Sequence, residues 1–263
     1  MVWSCLVSIL PGMAQTEKLT DYVNPFVGTD GYGNVYPGAQ IPFGGIQISP
    51  DTDSRFYDAA SGYKYNHLTL MGFSLTHLSG TGIPDLGDFL FIPGTGEMKL
   101  EPGTHEDPDQ GYRSRYSHDK EWASPNYYAV ELADYGVKAE MTSGVRSGMF
   151  RFTYPESDNA FIMIDMNHTL WQSCEWSNLR MINDSTITGY KLVKGWGPER
   201  HVYFTATFSK KLTGLRFVQD KKPVIYNTSR FCSSYEAWGK NLMACISFDT
   251  KAGEEVTVKA AIS

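Results

Sequence analysis

From Tyr127 to its last residue the chain is a succession of short apolar segments separated by turn residues, with almost no helical periodicity. This pattern predicts strands, because β-branched and aromatic residues fit a pleated sheet while Gly, Asp and Asn close the turns. The predicted strands are 127–132, 137–142, 149–154, 161–166, 186–192, 202–208, 216–218, 244–248 and 256–262. Strands joined by short turns build meanders or Greek keys. The sequence therefore predicts an all-β fold, a large antiparallel β-sandwich in one domain.

Three stretches indicate where they lie in such a sandwich. Residues 161–166 are almost all apolar, which predicts a strand covered on both faces. Residues 204–208 alternate between apolar and polar, which predicts one face toward the core. Residues 94–116 are rich in Gly, Pro, His and acidic residues and predict a long surface connection.

Composition narrows the class of protein. A chain of 263 residues can bury a proper core, and its formal charge of -6 offers nothing to a phosphate backbone, so no nucleic-acid partner is expected. No segment reaches the roughly 20 apolar residues of a membrane-spanning helix. Residues 1–15 hold a short apolar run and the small-residue exit 12–14 but no basic start. They predict a partial secretory signal peptide, with 16–263 as the mature domain, secreted or periplasmic.

Cysteine usage leaves the redox state open. Cys5 would leave with the signal, and Cys174, Cys232 and Cys245 form an odd set without metal-ligand spacing. Buried free thiols, or one disulfide with a free thiol, both fit this set.

Two glycine-rich loops, 28–39 and 77–88, cannot be the interior of a helix or strand. In the first loop, Asp30 and Asn34 offer the oxygen ligands that calcium prefers, although their spacing is not that of an EF-hand. The alternative is that the glycines let the backbone approach a ligand while Asp30 and Asn34 form hydrogen bonds.

The second loop combines a histidine with hydroxyls and glycines. His77 and Ser79 are two residues apart and no third group orients them, so they do not read as a nucleophile and its base. Ser79, Gly80, Thr81 and Gly82 offer hydroxyls and backbone amides that suit a polyol. The same side chains can instead hydrogen-bond the loop's own backbone.

Aromatic residues cluster between the two loops, in 55–65, around the single carboxylate of Asp58. Such a cluster suits sugar recognition, because the C–H faces of sugars pack on rings while their hydroxyls need polar partners. Trp171, Trp176 and Trp196 either add to that platform or pack on the sheet. No pair of carboxylates stands out for acid and base catalysis.

An ordered series of motifs links these loops to a known family: 22–29, 33–44, 47–51, 61–63, 72–88, 195–197, Arg200 and 203–204. Together they resemble glycoside hydrolase family 92, the calcium-dependent, inverting exo-α-mannosidases. Members join an N-terminal β-sandwich to a C-terminal (α/α)6 barrel, and this chain resembles the sandwich only. In that family the catalytic acid, the base and the calcium ligands belong to the barrel. The resemblance thus implies no catalytic residue and no metal ligand here, and a chain inactive by itself.

The resemblance also implies that the sandwich loops form one wall of the substrate pocket. The candidate substrate-binding residues are Asp30, Asn34, Tyr57, Asp58, His77, Ser79, Gly80, Thr81 and Gly82. Tyr57 stands where many members have Trp, Ala60 where Cys is frequent and Lys64 where His is frequent, so the linkage preference stays open.

The expected partners are a mannose-containing glycan and the absent barrel, in cis or from a neighbouring gene. The alternatives are a freestanding lectin-like carbohydrate-binding module without catalysis, and a structural or adhesive domain without sugar affinity.

Overall fold

The computed structural model describes residues 17–54, 59–225 and 235–263. The strands are β1 (Ser49–Asp51), β2 (Thr69–Leu70), β3 (Gly72–Ser74), β4 (Leu90–Thr95), β5 (Ser114–Arg115), β6 (Glu121–Ser124), β7 (Tyr127–Leu132), β8 (Val137–Ser143), β9 (Ser147–Tyr154), β10 (Ser157–Asp165), β11 (Ser173–Asn183), β12 (Thr186–Lys194), β13 (Arg200–Phe208), β14 (Gly214–Gln219), β15 (Lys222–Pro223), β16 (Glu236–Gly239), β17 (Leu242–Thr250) and β18 (Glu254–Ile262). Short 3-10 turns lie at Leu19–Tyr22, Pro108–Gln110 and His118–Lys120.

Two large sheets form the sandwich, and a small third sheet pairs β2 with β5. The seven-stranded sheet has the order β1-β3-β4-β10-β17-β14-β15, and the nine-stranded sheet has the order β16-β11-β12-β13-β18-β9-β8-β7-β6. All pairings between these strands are antiparallel. The predicted antiparallel β-sandwich is confirmed. In the part of the chain that the structure describes, no helix is long and apolar enough to cross a membrane.

Every strand predicted from the sequence is present, and Tyr127–Leu132 has the predicted bounds. No strand was predicted at β11, although β11 is eleven residues long. Apolar residues do not mark its buried face, because Trp176 and Ile182 are exposed while Ser177 and Asn178 are buried. The strands of two to four residues were not predicted either, because so short a segment shows no recognisable alternation of apolar and polar residues.

Strand β10 is covered on both faces, as its continuous apolar run predicts. Ile162 and Ile164 belong to the core between the two sheets. Phe161 and Met163 face the other way and pack with Tyr112 in a second apolar cluster. Tyr112 belongs to the irregular connection after β4, so that connection covers the outer face of the seven-stranded sheet instead of lying wholly on the surface.

Four connections come together where strands of both sheets end. The backbone N–H of Leu170 donates to the carbonyl oxygen of Leu86 (2.9 Å), and that of Trp196 to the Asp85 carboxylate (3.2 Å). The N–H of Gly80 donates to the carbonyl oxygen of Asn34 (2.7 Å). We call these connections, residues 28–36, 75–89, 166–172 and 195–199, the loop cluster.

Candidate functional site

The two glycine-rich loops of the sequence are neighbours in the loop cluster, since Gly80 and Asn34 share a backbone hydrogen bond. Asn34 adopts a positive φ of 51° and its side-chain amide donates to the carbonyl oxygen of Tyr32 (3.2 Å). The Oδ1 atom of Asn34 is buried and has no hydrogen-bond partner. A buried acceptor without a partner costs free energy, so a ligand hydroxyl or a bound water at this point would stabilise the loop.

The tip of the second loop leaves its backbone open. Ser79, Gly80 and Gly82 are exposed, and a Cβ atom added at Gly80 or Gly82 would meet no atom within 4 Å. Neighbouring atoms therefore do not require glycine at Gly82, whereas Gly80 has a φ of 74° that favours it. The Thr81 hydroxyl donates to the carbonyl oxygen of Ile83 (3.1 Å), so this side chain does stitch the loop to itself.

His77 lies beneath this tip, buried against Asp51. Its Nδ1 is 2.8 Å from the carbonyl oxygen of Gln47, and its Nε2 is 2.8 Å from Asp51 Oδ1. Both ring nitrogens thus face groups that only accept hydrogen bonds, a carbonyl and a carboxylate. His168 Nε2 approaches the other carboxylate oxygen, Oδ2, at 2.8 Å. His77 thus anchors the base of the loop, and a direct contact with substrate stays a prediction.

The electrostatics of Asp51 follow from these two partners. Burial acts to raise the pKa of Asp51, but the charges and hydrogen bonds of His77 and His168 outweigh it and hold the pKa below its usual range. The carboxylate therefore stays ionised and keeps both rings in place.

A second buried carboxylate, Asp88, closes the other end of the loop. Its Oδ1 is 3.0 Å from Lys191 Nζ, and its Oδ2 accepts hydrogen bonds from Arg200 and from the Thr76 hydroxyl (2.7 Å). Burial acts to raise the pKa of Asp88, but Lys191 and Arg200 outweigh it and lower the pKa to about 2. Lys191 also donates to the carbonyl oxygen of His168 (2.6 Å), which joins the two carboxylate clusters.

A cavity of about 860 Å³ opens beside the loop cluster, on the side of the connection between β10 and β11. Trp171 lines it and is 61% exposed as a residue. Its backbone holds a φ of 72°, a strained conformation of the kind that clusters at functional sites. Gln172, also in the lining, donates to the carbonyl oxygen of Pro84 (2.6 Å) and so ties the cavity to the second glycine-rich loop.

One wall of the cavity carries a carboxyl group with altered acidity. Desolvation raises the pKa of Asp165, and the opposing effect of His168 does not cancel it.

The structure brings some of the predicted site residues together, and two of them lie outside the described residues. Asp30 is exposed on the first loop, and Asn34, Gly80 and the neighbouring positions 79, 81 and 82 are brought together. Tyr57 and Asp58 lie outside the described residues. Ser54, just before them, lines the cavity.

Sequence reasoning missed most of the charged residues under the loops. Lys191 could have been recognised from the sequence, because it places a charge at an inward position of an alternating strand, between Gly189 and Val193. His168 carried none, since its partner Asp51 lies in a distant part of the sequence.

Within 17–54, 59–225 and 235–263, no group of three or more His, Cys, Asp or Glu side chains is arranged to hold a metal ion. Asp30 and Asn34 belong to no such group.

The described fold is a β-sandwich with an open loop cluster and a neighbouring cavity. Residues 22–263 match the Glycosyl hydrolase family 92 N-terminal domain, and the chain belongs to that family. This confirms the resemblance found in the motifs.

Solved relatives extend well beyond this domain. An α-mannosidase of family GH92 from Bacteroides thetaiotaomicron, in complex with mannoimidazole, is 99% identical, with a TM-score of 0.92 over 94% of this chain and 32% of that chain. A family GH92 inverting mannosidase from Bacteroides thetaiotaomicron VPI-5482 is 24% identical, with a TM-score of 0.75 over 94% of this chain and 32% of that chain, and shows the shared fold. An uncharacterized secreted glycosidase from Arthroderma benhamiae is 30% identical over 52% of this chain and 17% of its own length. The chain thus spans about a third of the length of these solved relatives.

Proposed function

We propose that this chain is the substrate-pocket domain of a secreted α-mannosidase that acts on mannose-containing glycans. The observation that carries the proposal is the loop cluster: two loops in direct contact, with open backbone at Gly80 and Gly82, in a chain 99% identical to part of an α-mannosidase that binds mannoimidazole. That long match favours a pocket domain over a freestanding lectin-like module.

The loops would bind the sugar by complementary hydrogen bonding. The Ser79 hydroxyl and the backbone around Gly82 face solvent and can exchange hydrogen bonds with sugar hydroxyls. Asn34 Oδ1 would accept from one hydroxyl, and the exposed ring of Trp171 offers a surface for the C–H face of a pyranose. Tyr57 and Asp58 join this site in the proposal, on the strength of the family motif.

The charged residues beneath the loops would position them. His77 and Asp88 fix the two ends of the second loop through buried ionic contacts, so the loop tip needs little ordering when a ligand binds. Preorganisation of this kind raises affinity without adding a contact to the ligand.

Bond cleavage would be the work of a separate catalytic domain. The proposal places the acid, the base and the calcium ion in the (α/α)6 barrel of the family, and the described residues hold no metal cluster of their own. We expect the 263-residue chain alone to release no mannose from an α-mannoside. Export to the periplasm or beyond is part of the proposal, in keeping with the secreted relative.

A glycine substitution tests the pocket without disturbing the fold. Gly82→Ala adds a methyl group where no atom lies within 4 Å, so the protein should fold as before while a ligand can no longer approach the backbone. Loss of one hydrogen bond, about 1 kcal/mol, would weaken binding of mannoimidazole or methyl α-mannoside about fivefold in calorimetry.

Gly45→Ala is the matched control. Its added Cβ meets the carbonyl oxygen of Val145 at an ordinary 3.5 Å, outside the loop cluster. Equal affinities of wild type and Gly82→Ala would contradict the proposed role of the loop, and calcium-dependent release of mannose by the purified chain would contradict its dependence on another domain.

A further inference from the structure

The outer face of the nine-stranded sheet carries one row of side chains across four adjacent strands. Asn178 on β11 pairs with Trp238 on β16 and with Tyr190 on β12, and Tyr190 pairs with Tyr203 on β13. Residues directly opposite each other in antiparallel strands project from the same face of the sheet. The four side chains therefore form a continuous row, which the loop cluster does not include.

Three of the four members are large rings, of which two are open to solvent and Tyr190 is partly buried. Trp238 is 55% exposed and Tyr203 is 52% exposed. The rings of Tyr190 and Tyr203 lie 4.9 Å apart at an angle of 37°. A groove of about 490 Å³ runs along the row, within the range of small-molecule sites, about 300–1,000 Å³. Exposed aromatic surface gathered along a groove marks a binding surface.

The floor of the groove is polar but uncharged. Asn178 donates both amide hydrogens, one to Glu236 Oε1 (2.9 Å) and one to the carbonyl oxygen of Ala237 (3.1 Å). Its carbonyl oxygen is what remains for a ligand, and Thr188 and Thr205 add hydroxyls. All described residues that line the groove are uncharged.

We propose that this groove binds a short chain of neutral hexopyranose units. The ring faces match the C–H faces of the sugars, and the amide oxygen and threonine hydroxyls match the sugar hydroxyls. An anionic ligand would find no counter-charge in the lining, and a packed protein segment would leave the amide oxygen and the hydroxyls on the floor without partners. The site lies outside the pocket proposed above and does not depend on it.

The groove lies on a hairpin that leads to the loop cluster. Tyr190 and Tyr203 lie on the β12–β13 hairpin, whose connection, 195–199, belongs to the loop cluster. A glycan held along this hairpin stays close to the loop cluster, which raises the local concentration of its free ends there.

The test is a titration of the 263-residue chain with α-mannotetraose, followed by NMR through the indole N–H signal of Trp238, which the Trp238→Phe variant identifies. We expect this signal to shift with saturation, and Tyr203→Ala to weaken the affinity at the Trp238 signal about tenfold. Tri-galacturonate, which is charged, should leave the signal in place.

Trp122→Ala is the matched control, because Trp122 is a 46% exposed ring on β6, at the opposite edge of the same sheet. It should leave the affinity unchanged. Gly82→Ala should weaken only the shifts of the loop cluster, so failure of the pocket and failure of the groove can be told apart.

Three results would overturn the proposal. The Trp238 signal stays still at millimolar mannotetraose; or Tyr203→Ala binds as tightly as the wild type; or the chain is a dimer that Trp238→Ala separates into monomers, which would make this face an interface between two copies.

Discussion

The buried pair of Lys191 and Asp88 gives the sharpest prediction on stability. Lys191 has no exposed side-chain surface, and its Nζ lies 3.0 Å from Asp88 Oδ1 and 2.6 Å from the carbonyl oxygen of His168. Lys191→Met keeps the unbranched shape but removes the ammonium group. Removal of one partner from a buried ion pair costs about 3–5 kcal/mol. Asp88 keeps Arg200 and Thr76, so we expect the free energy of unfolding to fall by about 3 kcal/mol.

The pKa shift of Asp88 gives a second measure of how much this carboxylate stabilises the fold. A fall from 3.8 to about 2 on folding corresponds to about 2 kcal/mol of stability from the ionised carboxylate. Because the folded-state pKa is the lower one, this contribution is complete above the unfolded pKa and is lost as the pH falls from about 4 to about 2. Asp51 has a pKa lowered in the same direction, so it adds to the loss of stability in acid.

Urea unfolding, followed by tryptophan fluorescence at pH 7 and at about pH 2, measures these effects. Asp88→Asn combined with Lys191→Met should cost less than the sum of the two single variants, because the double variant leaves no unpaired carboxylate. Lys194→Met, at an exposed position of the same strand, is the control and should change stability by less than about 0.5 kcal/mol. A loss under about 1 kcal/mol for Lys191→Met, or strict additivity of the two changes, would refute the reasoning.

Three further outcomes follow from local geometry. Gly111→Ala should destabilise the fold by about 2 kcal/mol in thermal unfolding, because its Cβ would lie 2.1 Å from the backbone nitrogen of Gly103; an unchanged melting temperature would contradict this. Cys174 and Cys245 are buried free thiols, and burial raises the pKa of Cys245 to about 11. Mass spectrometry should therefore find both unmodified by iodoacetamide in the native chain, and rapid labelling of Cys245 would show that it is accessible. Wild-type stability should fall as the pH is lowered from about 4 to about 2, and a flat profile there would contradict the ionised state of Asp51 and Asp88.

The sandwich could be predicted because its strands carry their own signals. The alternation in Val202 to Phe208 and the continuous apolar run in β10 follow directly from which faces these strands bury. Strand β11 could not be predicted, because it is identified by its pairing with β12 and β16 and its own apolar residues do not alternate regularly with polar ones.

The loops of the candidate site could be predicted from the sequence, whereas the buried contacts beneath them could not. Glycines mark both loops in the sequence, but only the fold brings Gly80 to Asn34. The sequence shows a histidine next to a hydroxyl-rich loop, and the structure places that histidine, His77, on Asp51. Such contacts join residues far apart along the chain, and a single sequence has no local pattern that records them.

The central claim is that the loop cluster binds an α-mannoside, and one titration tests it most directly. Methyl α-mannoside is added to the isotope-labelled chain and the backbone amide signals are followed by NMR. We expect saturable shifts at Ser79, Thr81 and Gly82, together with Asn34 from the neighbouring loop, and weaker shifts in Gly82→Ala. Amide signals of the loop cluster that stay in place while the sugar reaches high millimolar concentration would contradict the account.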